Sequence, residues 1–251
     1  MKKYSNNFFH NKNGALPIEF AFCFLLFSIL VFIIYDVYVT LMLQNKLERA
    51  NYTVASVFRE RSTLYQDKLK SSHDVYTAGL CSSNQTCYDS YELFDSEQVK
   101  EMRNLASSLM NNREIAVQIE ALFILQDPNI PGDLKKARLV ATQGKDFLSC
   151  PPSGCNGSIK SYFNSLPAMN NPSSNYQQLA PYVPKLVDSS IAMTGRWVPI
   201  YRVSMCIVNE ESLYLRWIKS NRKDSDVMPN LCSSVVVLSR CNNAKSCPAY
   251  F

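Results

Sequence analysis

The organisation of this chain is set by the stretch NGALPIEF, residues 13–20, which joins a short basic leader to a long apolar run. From Ala15 to Tyr35 this run contains one charged side chain, that of Glu19. A carboxylate in an apolar membrane segment is costly to bury, so we expect it to be retained for a partner. The nearest cationic partner would be a newly created amino terminus.

Cleavage after Gly14 would create that terminus. The mature chain would begin at Ala15, and Glu19 would become its fifth residue, one helical turn from the free ammonium. Pro17 would then lie in the first turn of a helix, where backbone N–H groups have no helical acceptor. The alternative is an uncleaved anchor in which Pro17 starts the helix and the Glu19 carboxylate reaches the cytoplasmic headgroups.

The apolar run is long enough for one membrane crossing. As a helix, the residues from Ala15 to Tyr35 reach ~31 Å, about the thickness of a hydrocarbon core. Three leader lysines precede the run and Asp36 follows it, which predicts a cytoplasmic N-terminus. We therefore expect a leader at 1–14, a transmembrane helix at 15–36 and an exported remainder.

These residues together resemble the class III signal of type IV pilin-like precursors, in which glycine precedes the cut and glutamate is the fifth mature residue. Ala15 as the first mature residue and the pair Glu19 and Phe20 resemble the tight-adherence (Flp) branch. A single helix followed by a large exported region is similar to the TadE/TadF type of minor pseudopilin, with TadF preferred. The motif covers roughly residues 1–40, and beyond them the resemblance rests on layout and cysteine content.

The resemblance implies a structural subunit that assembles a pilus rather than an enzyme. It implies that a prepilin peptidase cuts between Gly14 and Ala15, since a residue without a side chain lets the backbone approach the peptidase closely. It also implies that Glu19 and Phe20 dock the subunit to other pilins or pseudopilins and to the assembly platform. The expected location is the bacterial inner membrane, with the C-terminal domain in the periplasm.

A permanently anchored receptor or adhesin with a disulfide-rich binding domain is the alternative. Glycosylation sequons at Asn51, Asn84 and Asn156 keep a eukaryotic version of this alternative open. Intact mass separates the two hypotheses, because processing would remove residues 1–14.

Composition argues against several other functions. Without the three leader lysines, the chain carries 23 basic and 21 acidic side chains, and no dense basic run is interleaved with aromatic residues. We therefore expect no nucleic-acid partner. The chain has only two histidines, His10 and His73, and seven glycines, so we recognise neither a catalytic cluster nor a phosphate loop and expect no cofactor.

The cysteines predict an oxidising compartment. Cys23 lies in the apolar run and eight cysteines follow it, an even number that is typical of a disulfide framework. Three short loops and one long link need the least chain closure, although sequence alone does not fix the pairing. The pairs favoured on that ground are Cys81–Cys87, Cys150–Cys155, Cys206–Cys232 and Cys241–Cys247. No C-x-x-C pair is present, so we expect no metal site.

The first helix is predicted to continue beyond the membrane, as an amphipathic extension over residues 37–70. Apolar residues recur there at spacings of four and three. They are Leu43, Leu47, Ala50, Val54, Val57 and Leu64. This stripe would lie against the chain's own sheet, and a coiled-coil stalk is the alternative.

Residues 71–251 are predicted to form an α+β domain with an antiparallel sheet, as in pilins. Asp95, with Gln98 three residues later, indicates a capped helix that runs to Leu109. Alternation over 115–123 predicts a strand, with a turn at 127–132.

Further strands are expected in the same domain. Residues 139–142 would be the hairpin partner of the strand at 115–123, and the later strands would be 196–208, 213–219 and 233–240. Pro199 indicates an edge or a bulge. Residues 149–184 contain six prolines and are predicted to be an irregular surface excursion, either partner-facing or passive.

Overall fold

The computed structural model describes residues 15–60, 90–142, 147–184, 186–188, 191–193, 195–208, 230–241, 247 and 249–251. The leader with Gly14, the end of the predicted helical extension at 61–70, the cysteines Cys81 and Cys87 and the predicted strand at 213–219 lie outside these residues.

Helices α1, α2 and α3 span Ala15–Arg59, Ser96–Leu109 and Gly157–Ser165. The strands are β1 Ile115–Leu125, β2 Arg138–Ala141, β3 Leu148–Ser149, β4 Tyr182–Val183, β5 Leu186–Asp188, β6 Ile191–Met193, β7 Arg196–Trp197, β8 Ile200–Val208 and β9 Asn230–Leu238. The main sheet is antiparallel in the order β2-β1-β8-β9, and β3 pairs with another part of β1. The predicted α+β class is confirmed.

The second half of α1 packs on one face of this sheet, over β8 and β9. Its buried apolar side chains are Leu43, Leu47, Ala50, Val54, Ala55 and Phe58. The helix therefore lies on its own domain, as the stripe predicts, and does not form a free stalk. It ends at Arg59, whose carbonyl accepts the N–H of Arg240 at 3.1 Å, and Glu60 forms a turn.

Helix α2 packs beside α1 on the same face and begins where the sequence predicts. The side chain of Asp95 accepts the backbone N–H of Gln98 at 2.9 Å, which satisfies one of the free donors of the first turn. Val99, Met102 and Ala106 form the buried face of the helix.

Strand β1 is buried on both faces, although its alternating sequence predicts burial on one. Val117, Ile119 and Phe123 belong to the main core under the helices, whereas Leu122 and Ile124 belong to a second cluster on the opposite face. The alternation is weak because only two polar side chains, Gln118 and Glu120, interrupt an apolar strand. A strand buried on both faces needs a covering layer on each of them.

The segment 149–184 supplies that second layer through four buried side chains, those of Ile159, Phe163, Met169 and Ala180, while most of its residues are exposed or half-buried, as the prediction of a surface excursion implies. The helix α3 within it was not predicted. The side chain of Asn156 caps α3 by accepting the N–H of Ile159 at 2.8 Å. Ile159 and Phe163 then pack against Ala116 and Cys206 of the sheet. The helix is short and presents one apolar pair at helical spacing, which is too little signal among six prolines.

A buried ion pair pins this layer to the sheet. The guanidinium of Arg202, on β8, bonds to the carboxylate of Glu120, on β1, and donates to the carbonyl of Pro167 at 2.7 Å. Burial raises the pKa of Glu120, and the charge of Arg202 acts in the opposite direction.

Pro199 separates two strands where the sequence predicts one. Strand β7 ends at Trp197 and β8 begins at Ile200. β8 is central, between β1 and β9, so Pro199 marks a break in the strand rather than a sheet edge.

Three disulfides tie the described domain together, and they are three of the four pairs expected from the sequence. Cys150–Cys155 closes the loop before α3, Cys206–Cys232 joins β8 to β9, and Cys241–Cys247 links the end of β9 to the C-terminal tail.

A buried polar cluster joins the C-terminal tail to the core at the end of the sheet where β1 and β9 end. We call it the Glu92 cluster: the carboxylate of Glu92 accepts two bonds from Arg196, at 2.7 and 2.9 Å, and one each from Ser239 and Tyr250. The side chain of Glu92 is fully buried and that of Arg196 is 12% exposed. The cluster therefore holds four separate segments of the chain in one place.

Tyr250 should make the domain sensitive to alkaline pH. Burial, followed by the charge of Glu92, raises the pKa of Tyr250 well above its ordinary value of 10.0. The folded state therefore holds this proton more tightly than the unfolded state, and the resulting stabilisation is complete below pH ~10 and is lost above it. We expect Tyr250→Phe to have lower stability at neutral pH, through the lost bond to Glu92, but a smaller further loss above pH ~10. Unfolding curves across this pH range test it, and parallel curves for the two proteins would contradict it.

Candidate assembly helix

The first half of α1 projects from the domain with its apolar side chains bare. From Ile18 to Met42 its exposed large apolar residues are between 47% and 73% accessible. Within the described residues, this helix is long and apolar enough to cross a membrane, and its most apolar window is not buried in the structure. An apolar surface of this size is covered by lipid or by other subunits in a functional protein.

Polar groups in this half are suited to an apolar surrounding. The hydroxyl of Ser28 donates to the carbonyl of Phe24 at 2.8 Å, and that of Thr40 donates to the carbonyl of Asp36 at 3.0 Å. Such bonds to the preceding helical turn leave neither hydroxyl dependent on water.

Glu19 is the exception among these polar groups. Its side chain is exposed, and within the described part of the chain its carboxylate meets no hydrogen-bond donor. Phe20, beside it, is 73% accessible and stacks loosely on Phe24, with ring centroids 6.4 Å apart. The structure thus brings Glu19 and Phe20 onto the bare surface of α1, where another subunit can reach them.

Ala15 is the first described residue and the first residue of α1, while Gly14 lies outside the described residues. Residues four apart lie on one face of a helix, about 6 Å along its axis. An ammonium group on Ala15 would therefore lie on the same face as Glu19. The free N–H groups of the helix N-terminus add further attraction for a carboxylate.

The bare half of α1 is coupled rigidly to the domain. Gln44 donates to the carbonyl of Cys232 at 3.3 Å, and the buried amide of Asn51 donates to the carbonyl of Val203 and to Ser233. The structural role of Asn51 could not be predicted from the apolar stripe, because a single amide side chain among apolar residues forms no periodic pattern. Its complete burial also removes Asn51 as a glycosylation acceptor.

The described residues contain no group of three or more His, Cys, Asp or Glu side chains that could hold a metal ion. The described residues thus present a bare apolar helix with the carboxylate of Glu19 near its start, fixed to a disulfide-bonded domain.

A family model described as "Putative tight adherence pilin protein F", TadF, matches residues 7–240. The chain belongs to the TadF family. The TadF match begins within the basic leader and ends two residues after β9, so it contains α1 and every strand of the sheet. No curated protein and no solved structure matches the chain. It is a Tad pilus pilin-type protein, from a family that is structural rather than enzymatic.

The TadF match leaves out the tail from Cys241 to Phe251. Tyr250, which completes the Glu92 cluster, thus lies beyond the segment that defines the family.

Proposed function

We propose that this TadF-family protein is a minor pseudopilin that acts in the assembly of a tight-adherence pilus. The observation that carries the proposal is the bare apolar half of α1, which continues without a break into the folded domain. In water this surface would aggregate, whereas in a bilayer or among similar helices it is covered. Family membership supplies the pilus context.

The protein is held in the inner membrane by a single span, with residues 1–14 in the cytoplasm and the domain in the periplasm. The three leader lysines support this orientation by the excess of positive charge on the cytoplasmic side. The disulfides on the other side of the span support an oxidising compartment for the domain.

A prepilin peptidase cuts between Gly14 and Ala15 and leaves an ammonium one helical turn from Glu19. The carboxylate of Glu19 then pairs with the ammonium of its own chain or of a neighbouring subunit. Such a pair fixes the register between helices, which apolar packing alone would allow to slide. Phe20 is exposed beside it and contributes apolar contact to the same docking surface.

Deletion and complementation test the assembly role. We expect cells without the protein to have few or no pili by electron microscopy, and the full chain supplied from a plasmid to restore them. A chain with Ser173→Ala, changed at an exposed position in the segment that covers the sheet face opposite α1, is the matched control and should restore them equally. Normal pilus numbers in the deletion strain would contradict the assembly role.

A further inference from the structure

Beyond its apolar run, α1 has an exposed face on the side opposite to the stripe that it buries on the sheet. We call this face the α1 seam, and it consists of Tyr38, Leu41, Asn45, Glu48 and Tyr52. All five side chains are exposed, and those of Tyr38, Leu41 and Tyr52 are 63%, 58% and 61% accessible. The spacings of three, four, three and four are those of the a and d positions of a coiled coil.

Lipid does not cover the upper part of the α1 seam. Asn45 and Tyr52 follow Tyr35, the last residue of the apolar run, at ~15 and ~26 Å along the helix. A headgroup layer is ~5–8 Å thick. When α1 spans a bilayer, both residues therefore lie above the headgroups, where only another protein can cover them.

The α1 seam contains a hole of the kind that receives a side chain from a facing helix. Asn45, Glu48, Arg49 and Tyr52 line an open groove on α1, together with Thr53. The first four stand at positions i, i+3, i+4 and i+7, which form the hole for a d-position side chain in a parallel coiled coil. The d-position side chain of a second copy at this level would be its Glu48.

The charges of this hole are self-complementary. Glu48 of one copy would enter the hole of the other beside Arg49, and the same pair would form a second time across the two-fold axis. Within the described residues, the guanidinium of Arg49 forms no ion pair, so it is available for this contact. An apolar side chain is also accepted at a d position, so the seam does not depend on the charge of Glu48.

Asn45 favours the same occupant. It stands at an a position between Tyr38 and Tyr52, seven residues from each. An amide is both a donor and an acceptor, so two facing Asn45 side chains satisfy each other. A single Asn at an a position is typical of a parallel two-stranded register.

We propose that the α1 seam binds the α1 seam of a second copy, as a parallel and two-fold symmetric pair. The parallel arrangement rests on the proposed function, because copies that span one membrane in the same direction hold equal residues at equal heights. Each sheet packs on the far side of its own α1. The two domains therefore lie on opposite sides of the paired helices.

Photo-crosslinking of the full chain in the membranes of its own cells tests the pair. Para-benzoyl-phenylalanine is introduced at Tyr52, on the seam, or at Thr53, the next residue around the helix; both positions are exposed, so they are matched. Two copies with different tags are expressed together, and a product with both tags contains two copies of this chain. We expect this product from position 52 and at least ~10-fold less of it from position 53, because adjacent helical residues point ~100° apart.

A charge placed on the seam gives a second measure. Asn45→Arg brings two guanidinium groups face to face, which opposes association, so the doubly tagged product from position 52 should fall ~10-fold. Thr53→Arg adds the same charge beside the seam and should leave that product unchanged. Equal loss with both variants, or no loss with Asn45→Arg, would overturn the pair.

Extraction of the same membranes with alkaline carbonate separates the pair from the span. A protein that stays in the membrane but crosslinks equally from positions 52 and 53 would overturn the pair alone. A product from position 52 that lacks the second tag would do the same, because the seam would then be covered by a different protein. Release of the protein by carbonate would overturn the span on which the parallel arrangement depends.

Discussion

Glu19→Val is expected to reduce pilus number to that of cells without the protein, while leaving membrane insertion intact. Valine removes the only charge between Ala15 and Tyr35 and makes the segment more apolar, so insertion should not suffer. We expect the loss to come from the proposed ion pair with the ammonium of Ala15, which would set the register of the subunit among its neighbours.

A matched change at Glu48 makes this result specific. Glu48 lies on the same helix, is exposed, and accepts a bond from Gln44 outside the apolar run. We expect Glu48→Val to retain pili, because a solvated side-chain pair of this kind contributes little. Pili are counted by electron microscopy and insertion is measured by membrane fractionation. Normal piliation with Glu19→Val, or equal loss with both variants, would remove the docking role from Glu19.

Glu92→Ala is expected to cause the largest loss of stability of any single substitution considered. It would leave the guanidinium of Arg196 in a site that is only 12% exposed, without its carboxylate. Breaking a buried pair from one side costs about 3–5 kcal/mol. The same substitution removes the carboxylate to which both Ser239 and Tyr250 donate, so the C-terminal tail should loosen as well.

Two further variants isolate the cause of that loss. Glu60→Ala removes a carboxylate that is 32% exposed and pairs with Arg59 and with the 60% exposed Arg240; because solvent reaches these pairs, it should cost less than ~1 kcal/mol. Replacing both members of the buried pair, with Glu92→Met and Arg196→Met together, should recover much of the lost stability, since no uncompensated charge remains. Denaturant unfolding of the full chain in detergent measures each variant. A cost for Glu92→Ala no larger than that for Glu60→Ala would contradict the buried-pair account.

Local sequence signals predicted local structure well. The helical stripe from Leu43 to Val54 and the cap at Asp95 depend on residues within a few positions of one another, and the first hairpin joins two strands that are neighbours in the chain. The bare apolar run was equally predictable from the sequence, because membrane helices and pilin signals are defined by length, charge and spacing.

Long-range relations were not predictable in the same way. Glu92 and Arg196 are 104 positions apart, and neither residue belongs to a pattern that indicates burial. Covering layers are also set by the whole fold, which is why the sequence did not indicate that β1 is buried on both faces or that part of segment 149–184 covers one of them. Gly14 and Glu19 remain predictions from the signal itself, since their roles concern other proteins.

N-terminal sequencing of the protein extracted from membranes of its own piliated cells tests the central claim most directly. We expect the sequence to begin at Ala15 and continue Leu16-Pro17-Ile18-Glu19. In cells that lack the prepilin peptidase, the leader should still be present. A mature protein that retains residues 1–14 in piliated cells would contradict processing and favour the permanently anchored receptor or adhesin.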